Sequence, residues 1–234
     1  MLELKNVWIR YGKIVAVRKL TLTVNKGDFI TILGANGAGK SSTINAISGL
    51  VKIKRGEIDY KGKKINGLKP GAIAARGIIQ VPEGRKLFPL MTVRENMEMG
   101  AYLCKDKKQF ENSMEKALVL FPVLREKLRA KARELSGGQQ QMLAIARGLM
   151  AIPELLMFDE PSLGLSPLLR QNLAEKIKEI SREGVTIILV EQNARLGLML
   201  ANYGYVIENG ELVLQGKTSD LMQDENVRKA YLGV

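Results

Sequence analysis

A glycine-rich segment that follows a short apolar run is the feature that most constrains how this chain can fold. Residues 34–41 read Gly-Ala-Asn-Gly-Ala-Gly-Lys-Ser, after the apolar run Phe29–Leu33 and at the start of a helical pattern over Lys40–Ser48. A strand, a glycine-rich turn and a helix in this order place backbone N–H groups and the positive end of a helix dipole around phosphate. An ordinary glycine-rich turn is the alternative. The flanking strand and helix favour a phosphate-binding loop in an α/β fold.

The residues of this loop have separable roles at a nucleoside triphosphate. Its glycines let the backbone approach the phosphates closely. Lys40 is expected to reach the β- and γ-phosphates, and the Ser41 hydroxyl to ligate Mg²⁺. The residues predicted to bind the nucleotide here are Gly34, Asn36, Gly37, Ala38, Gly39, Lys40, Ser41 and Ser42.

Two adjacent carboxylates follow a second apolar run. Leu155–Phe158 predicts a buried strand that carries Asp159 and Glu160 at its carboxyl end, where α/β sheets bind ligands. Asp159 is predicted to hold Mg²⁺, and Glu160 to orient or deprotonate the attacking water. Solvated turn charges are the alternative, but Pro161 and the phosphate loop favour the catalytic interpretation.

The run Leu-Ser-Gly-Gly-Gln at residues 135–139 predicts a second helix N-terminus. Ser136 is a good N-cap, and Gln139–Met150 continues the helical pattern. Because two glycines in a first turn destabilise a helix, close approach of another group is the better explanation for Gly137 and Gly138 at a helix start. An ordinary loop is the alternative, since Ser-Gly-Gly taken by itself is more often a loop.

The rest of the pattern divides the chain into strand-rich and helix-rich parts. Alternating apolar and polar residues over 1–27 predict an antiparallel sheet. Helical periodicity runs from Thr92, in a capping-box pattern, to about residue 150. Asn209-Gly210 predicts a type I′ hairpin, and a helical tail is expected over 219–232. Further strands are expected at 56–62, 78–81 and 185–190.

Composition limits the chemistry that this chain can perform. Its 234 residues are 46% hydrophobic, enough for a sizeable core. It contains no histidine, which excludes a His-ligated metal and His-dependent catalysis, and we expect hydrolysis without a histidine-like inflection between about pH 6 and 7. Cys104 is the single cysteine, so no internal disulfide can form and a reducing compartment is expected. No apolar run approaches the roughly 18 residues that a membrane-spanning helix needs.

The net charge of +12 has two interpretations. A basic surface can meet nucleic acid or an anionic membrane, and it can also be a solvated surface that aids solubility. The basic residues form short scattered groups with few aromatic residues between them, whereas a platform for single strands needs aromatic rings to stack bases. We therefore expect no nucleic-acid partner, although charge alone does not decide the matter.

The phosphate loop, the 135–139 run and the Asp159-Glu160 strand end, in this order, resemble the ATP-binding subunits of ABC transporters over essentially the whole chain. The resemblance implies an α/β P-loop nucleotide-binding core (a RecA-like mixed sheet) with an antiparallel β-subdomain and an inserted α-helical subdomain. It implies one ABC ATPase domain over 1–234, with the core and β-subdomain in 1–88 and 151–234 and the helical subdomain in 89–150. ATP and Mg²⁺ are the implied ligands.

The resemblance also implies roles that the residues alone leave open. Tyr11 stands where the family places an aromatic ring against adenine, although packing at a strand end would explain it equally well. The signature residues are implied to reach the γ-phosphate of ATP bound by another copy, so that hydrolysis requires two nucleotide-binding domains. These signature residues are Ser136, Gly137, Gly138 and Gln139.

Three positions depart from the family pattern. Glu83 stands where the family usually has Gln, and Gln80 lies three residues too early for that role. Gln192 replaces the usual switch His, and Ser166 replaces the usual Asp after the catalytic Glu. Gln192 can donate a hydrogen bond to the γ-phosphate but cannot carry a titrating proton. The predicted catalytic residues are Lys40, Glu83, Glu160 and Gln192, and the predicted Mg²⁺ ligands are Ser41, Glu83 and Asp159.

The segments at 81–85 and 190–194, Val-Pro-Glu-Gly-Arg and Val-Glu-Gln-Asn-Ala, resemble the LivF group of branched-chain amino acid importer subunits. This resemblance implies a cytoplasmic ATPase, peripheral on the inner face of the cell membrane. Its implied partners are a second ATPase subunit (LivG-like, or an identical copy), two permease subunits and an extracytoplasmic substrate-binding protein. Permease docking is implied near Glu83–Arg94, unless Leu87, Phe88 and Leu90 are simply core residues.

Three other functions share much of this pattern. A related importer of urea or short-chain amides would have nearly all of these motifs. A lipid or lipopolysaccharide exporter usually has the switch His that is absent here. A non-transport ABC ATPase that acts on nucleic acid or ribosomes usually has a long coiled-coil insertion or two tandem cassettes, and this sequence has neither.

Overall fold

The structure is a computed structural model that describes residues 1–232, with strands and helices that alternate along most of the chain. The strands are β1 (Leu2–Tyr11), β2 (Ile14–Val24), β3 (Phe29–Leu33), β4 (Ile53–Tyr60), β5 (Lys63–Lys64), β6 (Ile78–Val81), β7 (Leu155–Asp159), β8 (Thr186–Glu191), β9 (Tyr203–Glu208) and β10 (Glu211–Lys217). The helices are α1 (Lys40–Ile47), α2 (Pro70–Ala74), α3 (Val93–Gly100), α4 (Lys107–Leu120), α5 (Pro122–Glu126), α6 (Gly137–Leu149), α7 (Pro167–Arg182), α8 (Ala194–Leu200), α9 (Thr218–Leu221) and α10 (Glu225–Val227). A 3₁₀ turn covers Ala132–Glu134, and a π-helical turn covers Arg228–Leu232.

The N-terminal strands belong to an antiparallel sheet, as the alternation over residues 1–27 predicts. Its strand order is β2-β1-β4-β5. Alternate residues of β1 and β2 are buried, since successive side chains of a strand point to opposite faces. Tyr205 of β9 fastens this sheet to the rest of the chain: its hydroxyl donates to the carbonyl of Thr23 at 2.7 Å and accepts from the Thr23 N–H at 3.2 Å.

The second sheet is mixed and has the strand order β10-β9-β3-β8-β7-β6. Strands β9, β3, β8, β7 and β6 are parallel, and β10 pairs with β9 as an antiparallel edge. Every residue of β3, β7 and β8 is buried, which is why these strands appear in the sequence as continuous apolar runs rather than alternating ones. The predicted fold class, a mixed-sheet core with an antiparallel β-subdomain and inserted helices, is confirmed.

The helices α3–α6 form the block between β6 and β7. Thr92 caps α3 in the predicted capping box, since its hydroxyl accepts from the Glu95 N–H at 3.1 Å while the Glu95 carboxylate accepts from the Thr92 N–H at 2.7 Å. The block shares its hydrophobic core with the mixed sheet: Phe121 and Leu143 belong to the same buried cluster as Phe158. The helical block and the sheet are therefore fastened by one continuous core.

The C-terminal hairpin and tail close the chain. Asn209 and Gly210 have φ of 49° and 84°, the two positive values that a type I′ turn requires, so the predicted hairpin is confirmed. The hairpin turn also contacts the phosphate loop, because the Gly210 N–H donates to the carbonyl of Ala38 at 3.0 Å. The predicted helical tail over 219–232 is broken into the short turns α9, α10 and 228–232, with Met222, Gln223 and Asp224 between α9 and α10. No helix within residues 1–232 has the length and apolar character to cross a membrane.

Candidate functional site

The carboxyl ends of β3, β6, β7 and β8 lie side by side and open into one cleft. This edge of a parallel sheet is where α/β folds bind ligands. The cleft has a volume of about 340 Å³. Its lining residues are Asn36, Gly37, Gly39, Lys40, Ser41, Ser42, Glu83, Glu160, Leu163 and Gln192.

The glycine-rich loop is shaped by close backbone contacts that exclude side chains. Gly34 has φ of +155°, and a Cβ there would overlap the carbonyl oxygen of Ile207. Gly39 has φ of +105°, and a Cβ there would lie 2.5 Å from the carbonyl oxygen of Ala16. Gly39 is also the residue before α1, where it carries no side-chain cap. The first N–H groups of α1 are therefore left for a ligand, as expected of an anion site at a helix N-terminus.

Lys40 is buried, and its ammonium group lies among oxygen atoms. Its Nζ donates to the carbonyls of Gly34 at 2.9 Å and Ala35 at 3.1 Å. It also pairs with Glu160 Oε1 at 3.2 Å. Because a buried charge is tolerated only when it is paired and hydrogen-bonded, these partners hold a cation at the mouth of the phosphate loop.

Ser41 and Asp159 bring two oxygen ligands together across 118 residues of sequence. The Ser41 hydroxyl donates to Asp159 Oδ1 at 2.8 Å. Burial raises the pKa of Asp159; the Ser41 hydrogen bond and the charge of Lys40 oppose that rise, and the charges of Glu83 and Glu160 add to it. Hydroxyl and carboxylate oxygens are the ligands that Mg²⁺ prefers. Ser41, Asp159 and the nearby Glu83 are thus a donor set that fits Mg²⁺.

Glu160 adopts an uncommon backbone conformation at the end of β7. Its φ is 46°, in the left-handed region that residues with a Cβ rarely adopt. The Glu160 N–H donates to the carbonyl of Val190 at 2.9 Å, which ties this position to the end of β8. The strained turn brings its carboxylate to within 3.2 Å of Lys40 inside the cleft.

Two of the three positions that depart from the family pattern, Glu83 and Gln192, lie in this cleft. Glu83 and Gln192 are exposed residues of its lining. Gln80, in contrast, contacts α1: its amide donates to Asn45 Oδ1 at 2.9 Å and its carbonyl oxygen accepts from Ser48. Glu83, and not Gln80, therefore shares the cleft with the phosphate loop.

Tyr11 lies beside the cleft without being part of its lining. Its side chain is 44% exposed, and its hydroxyl donates to Ser42 Oγ at 3.4 Å. An exposed ring next to the phosphate loop is not packed into the core at a strand end. Ala38, which we predicted to bind the nucleotide, is buried and does not line the cleft. Its carbonyl oxygen accepts a hydrogen bond from the Gly210 N–H.

The signature residues lie on a different part of the surface. Ser136 is the N-cap of α6, where its hydroxyl accepts from the Gln139 N–H at 3.4 Å and the Gln139 side chain accepts from the Ser136 N–H at 3.0 Å. Ser136 and Gly137 are exposed, and none of the residues 136–139 lines the cleft. A Cβ at Gly138 would lie 3.0 Å from a methyl group of Leu169, so packing against α7 is a further reason for a glycine there.

A family model described as ABC transporter matches residues 17–163, from β2 through the phosphate loop and helical block to the segment after Glu160. The chain belongs to the ABC transporter family. It is accordingly an ABC transporter ATPase, and the predicted recognition and enzyme class are confirmed.

Full-length relatives agree with this assignment. The chain is 45% identical over 233 residues to the high-affinity branched-chain amino acid transport ATP-binding protein BraG of Pseudomonas aeruginosa, with 100% of each chain covered. It is 32% identical over 212 residues to the probable branched-chain amino acid transport ATP-binding protein LivF of Archaeoglobus fulgidus, covering 90% of this chain and 89% of that one. The solved ADP conformation of MJ1267, an ATP-binding cassette of an ABC transporter, superposes with a TM-score of 0.88 at 28% identity, covering 100% of this chain and 99% of that one.

Ser166 acquires a structural explanation in this ABC ATPase. It is the N-cap of α7, where its hydroxyl accepts from the Leu169 N–H at 3.4 Å and Pro167 occupies the first helical position. Serine before a proline at a helix start is a favourable capping pair. The residue that replaces the family's usual Asp at this position therefore serves the helix start.

The residues between the cleft and the helical block are held by arginines that the sequence analysis missed. Arg147 of α6 donates to the carbonyls of Lys86 at 2.8 Å and Arg85 at 3.0 Å. Arg85 in turn donates to the Gln140 side chain at 2.9 Å. The segment after Glu83 is thus fastened to α6, the helix whose N-terminus carries the signature residues. Contacts between residues more than 50 apart leave no local sequence signal.

The segment predicted to dock a permease is largely outside the core. Phe88 is 43% exposed and Leu90 is 67% exposed, while Leu87 packs partly against the main cluster. A groove of about 330 Å³ adjoins Phe88, and Met99, 43% exposed, lies at its other side. The alternative that all three residues are core is therefore wrong for Phe88 and Leu90.

Glu191 is the other residue of this region that the sequence analysis missed. It is 2% exposed, directly before Gln192, and burial raises its pKa to about 7, with the Glu160 charge adding to the rise. Two hydrogen bonds from Ser162 and one from the Asn193 backbone oppose that rise. The sequence signal was a carboxylate at the end of a strand whose other residues are apolar or hydroxylated.

Two larger clefts lie elsewhere, with volumes of about 660 and 750 Å³. The smaller of the two adjoins Tyr60, whose buried hydroxyl has no hydrogen-bond partner, a unique case among the buried side-chain polar atoms of the described residues. Neither cleft contains a glycine-rich loop at a helix start or a carboxylate pair at a strand end. Chemistry, rather than size, identifies the nucleotide cleft.

Proposed function

We propose that this chain is the ATP-hydrolysing subunit of an ABC importer that takes up branched-chain or related amino acids. Hydrolysis is supported by one observation: the same cleft, at the carboxyl edge of the sheet, is lined by Lys40, Ser41, Glu83, Glu160 and Gln192. The observation that favours this substrate class is the 45% identity to BraG over the full length of both proteins.

In this proposal the phosphate loop binds the triphosphate through its N–H groups and the N-terminus of α1. Lys40 supplies positive charge to the β- and γ-phosphates, and Tyr11 covers the adenine at the edge of the cleft. Glu160 orients the attacking water and accepts its proton, since its carboxylate lies 3.2 Å from Lys40 beside the γ-phosphate position. Gln192 donates a hydrogen bond to the γ-phosphate, a role that its amide can fill without titrating.

Ser41 and Asp159 would hold Mg²⁺, with Glu83 as a further oxygen ligand or as a partner for a bound water. When bound, Mg²⁺ offsets negative charge on the phosphates. Glu83 carries a negative charge where the family's usual Gln is neutral, so we expect it to stay near the cation rather than beside a phosphate oxygen. Its exposed position in the cleft lining is compatible with both ligand roles.

A second nucleotide-binding domain completes the catalytic unit. Ser136 and Gly137 at the N-terminus of α6 are exposed, and none of the residues 136–139 lines this chain's own cleft. We propose that this helix N-terminus contacts the γ-phosphate bound by a LivG-like subunit or by an identical chain. Closure of the two domains over ATP then brings a signature helix and a phosphate loop together at each site.

The transport partners are two permease subunits and an extracytoplasmic substrate-binding protein. We propose that a permease helix occupies the groove beside Phe88, where Met99 and the nearby Leu90 also present apolar surface. Movement of the segment after Glu83 would then reach α6 through Arg147. The chain would act on the cytoplasmic side of the membrane, held there by the permeases.

Phosphate release by the purified chain tests the hydrolytic part. Glu160→Gln should lower turnover by about 10²–10⁴-fold, the range for loss of a general base, and Lys40→Ala should remove ATP binding. Glu154→Gln, an exposed carboxylate paired with Lys61 far from the cleft, is the matched control and should leave turnover unchanged. Specific activity should rise with protein concentration, because each site needs a second domain. Full turnover by Glu160→Gln would refute the assignment.

Uptake into proteoliposomes tests the transport part. Vesicles would contain permease subunits of a branched-chain amino acid importer, with the ATPase and ATP enclosed and the binding protein outside. Uptake of labelled leucine, isoleucine or valine that requires ATP and is lost with Glu160→Gln supports the proposal. Uptake of urea or acetamide alone would indicate the related importer, outward movement of lipid would indicate an exporter, and strong stimulation of turnover by double-stranded DNA would reject transport.

A further inference from the structure

The backbone at Glu160 needs external support. A left-handed φ at a residue with a side chain is unfavourable and persists only where the surroundings hold it. Glu160 has φ of 46°, and its N–H donates to the carbonyl of Val190 at 2.9 Å. One backbone bond to β8 fixes the start of this turn, so a further restraint is needed just after it.

Glu191 supplies that restraint from the next residue of β8. Its Oε1 accepts from the Ser162 N–H at 3.3 Å, and its Oε2 accepts from the Ser162 hydroxyl at 3.1 Å. Both side chains are buried, at 2% and 5% exposure. Residues 160 and 162 are thus joined to residues 190 and 191 by three hydrogen bonds, two of them to one carboxylate.

A carboxylate in this place is not explained by packing. The other positions of β8 are hydrophobic apart from Thr186, and a buried carboxyl group is unfavourable unless its oxygens are bonded. Each oxygen of Glu191 has a partner from Ser162, which satisfies the group but leaves open why it is there. The residue after it is Gln192, which lines the cleft opposite Glu160.

We propose that Glu191 is a positioning residue that clamps the Glu160–Ser162 turn to the end of β8. The clamp fixes Glu160 and Gln192 relative to each other, so that the water-orienting carboxylate and the γ-phosphate donor keep one spacing. The inference rests on the proposed function, because it assumes that Glu160 acts in hydrolysis. Glu191 itself is not among the residues that line the cleft.

The clamp predicts a loss of turnover without a loss of ATP binding. In Glu191→Ala the turn is released, and because misplacement by about 1 Å can cost 10²-fold in rate, we expect kcat to fall by roughly 10- to 100-fold. The Kd for a fluorescent ATP analogue should stay near wild type. Glu191→Gln keeps both contacts, since its amide oxygen accepts from the Ser162 N–H and its amide N–H donates to the hydroxyl. It should restore kcat to within about threefold of wild type.

The outcomes separate the inference from the proposed function. If Glu160→Gln abolishes hydrolysis while Glu191→Ala keeps wild-type kcat, the clamp is rejected and the proposed function stands. An equal loss in Glu191→Gln and Glu191→Ala also rejects the clamp, because geometry would then not be what matters. If Glu160→Gln retains full turnover, the proposed function itself fails.

A smaller change keeps the test decisive if Glu191→Ala does not fold. Ser162→Ala removes one of the two clamp bonds and leaves the backbone bond in place. In that case a fall in kcat of about threefold or more, with the ATP-analogue Kd unchanged, supports the clamp, and wild-type kcat rejects it.

Discussion

Replacing Glu191 by Gln should make the protein more stable at high pH and leave it unchanged at low pH. Burial raises the pKa of Glu191 from the ordinary 4.5 to about 7, and the nearby charge of Glu160 contributes to the rise. Between those two values the folded chain binds a proton that the unfolded chain has lost. Stability therefore falls as pH rises through this window. Below about pH 4.5 the carboxyl group is neutral in both states, and its contribution is fully present.

The magnitude follows from the width of the window. Each pKa unit corresponds to about 1.4 kcal/mol, so a rise from 4.5 to about 7 lowers the free energy of unfolding by about 3 kcal/mol at high pH. The amide in Glu191→Gln cannot ionise and keeps the contacts to Ser162. We expect the variant to exceed wild type by about 3 kcal/mol above roughly pH 8 and to match it near pH 4.5.

Urea unfolding at intervals between about pH 5 and 9 measures this difference directly. The slope of free energy against urea should be the same for both proteins, since their exposed surface on unfolding is the same. Glu111→Gln is the control, because its side chain is 63% exposed and its partner Lys107 is 3.9 Å away. An exposed pair of this kind contributes at most about 1 kcal/mol, and the control difference should stay within that limit at every pH.

Two results would refute the reasoning. A difference between Glu191→Gln and wild type that does not change with pH would mean that Glu191 does not titrate in this range. A variant less stable than wild type at high pH would mean that the bonds from Ser162 to the ionised carboxylate outweigh its burial. The expectation that hydrolysis lacks a histidine-like inflection stays a prediction about the rate, whereas the titration of Glu191 concerns the stability of the fold.

Three other substitutions, the first with a control, test particular contacts. Gly100→Ala would drive a Cβ into the carbonyl oxygen of Arg147, so it should lower the free energy of unfolding by about 1–3 kcal/mol. Its control is Gly71→Ala, in open space on α2, which should raise the free energy of unfolding by roughly 0.4–1 kcal/mol. Thermal melts measure both effects. Gly34→Ala would overlap the carbonyl oxygen of Ile207, so we expect weaker binding of an ATP analogue together with a melting temperature lower by about 2–4 °C for each kcal/mol lost. Ser41→Ala removes the hydrogen bond that opposes the raised pKa of Asp159; a Mg²⁺ titration of ATP-analogue binding should require roughly tenfold more Mg²⁺, as for loss of a bond to a charged group.

Local pattern was enough to predict the phosphate loop and the Asp159-Glu160 strand end. Each is a strand followed by a turn, so the side-chain positions follow from a few adjacent residues. The same holds for the caps at Thr92 and Ser136, where a hydroxyl and a partner three residues later define the helix start. Glu83 and Gln192 needed the family resemblance as well, because single polar residues after a strand have no pattern of their own.

The supporting contacts could not be predicted because they depend on packing. Glu191 is a carboxylate buried by neighbours on β3 and by the Ser162 turn, and no period-2 or period-3.6 pattern marks a buried charge. The helical pattern of α6 places Arg147 near the last turn of the helix but does not predict what its side chain contacts. Its role, holding the carbonyls of Arg85 and Lys86, appears when α6 packs beside β6. Residues that line the cleft could thus be predicted from the sequence, and the residues that hold the neighbouring segments in place could not.

The exposed N-terminus of α6 and the open cleft are best explained together. A helix start with two glycines is unfavourable for stability. The Ser136 hydroxyl accepts a hydrogen bond from the Gln139 N–H, while Ser136 itself stays exposed. The cleft, for its part, is walled by strand ends on one side, while Gln192 and Glu83 of its lining are exposed. The proposed function gives each feature a partner: the helix N-terminus would reach a phosphate bound by another domain, and the open part of the cleft would receive that domain's helix N-terminus. A two-fold pairing, in which each chain gives its helix end to the other's cleft, uses both features twice. An unlike partner can replace the identical one only if it carries the same two surfaces, and a partner that lacked either would leave one of the two sites incomplete.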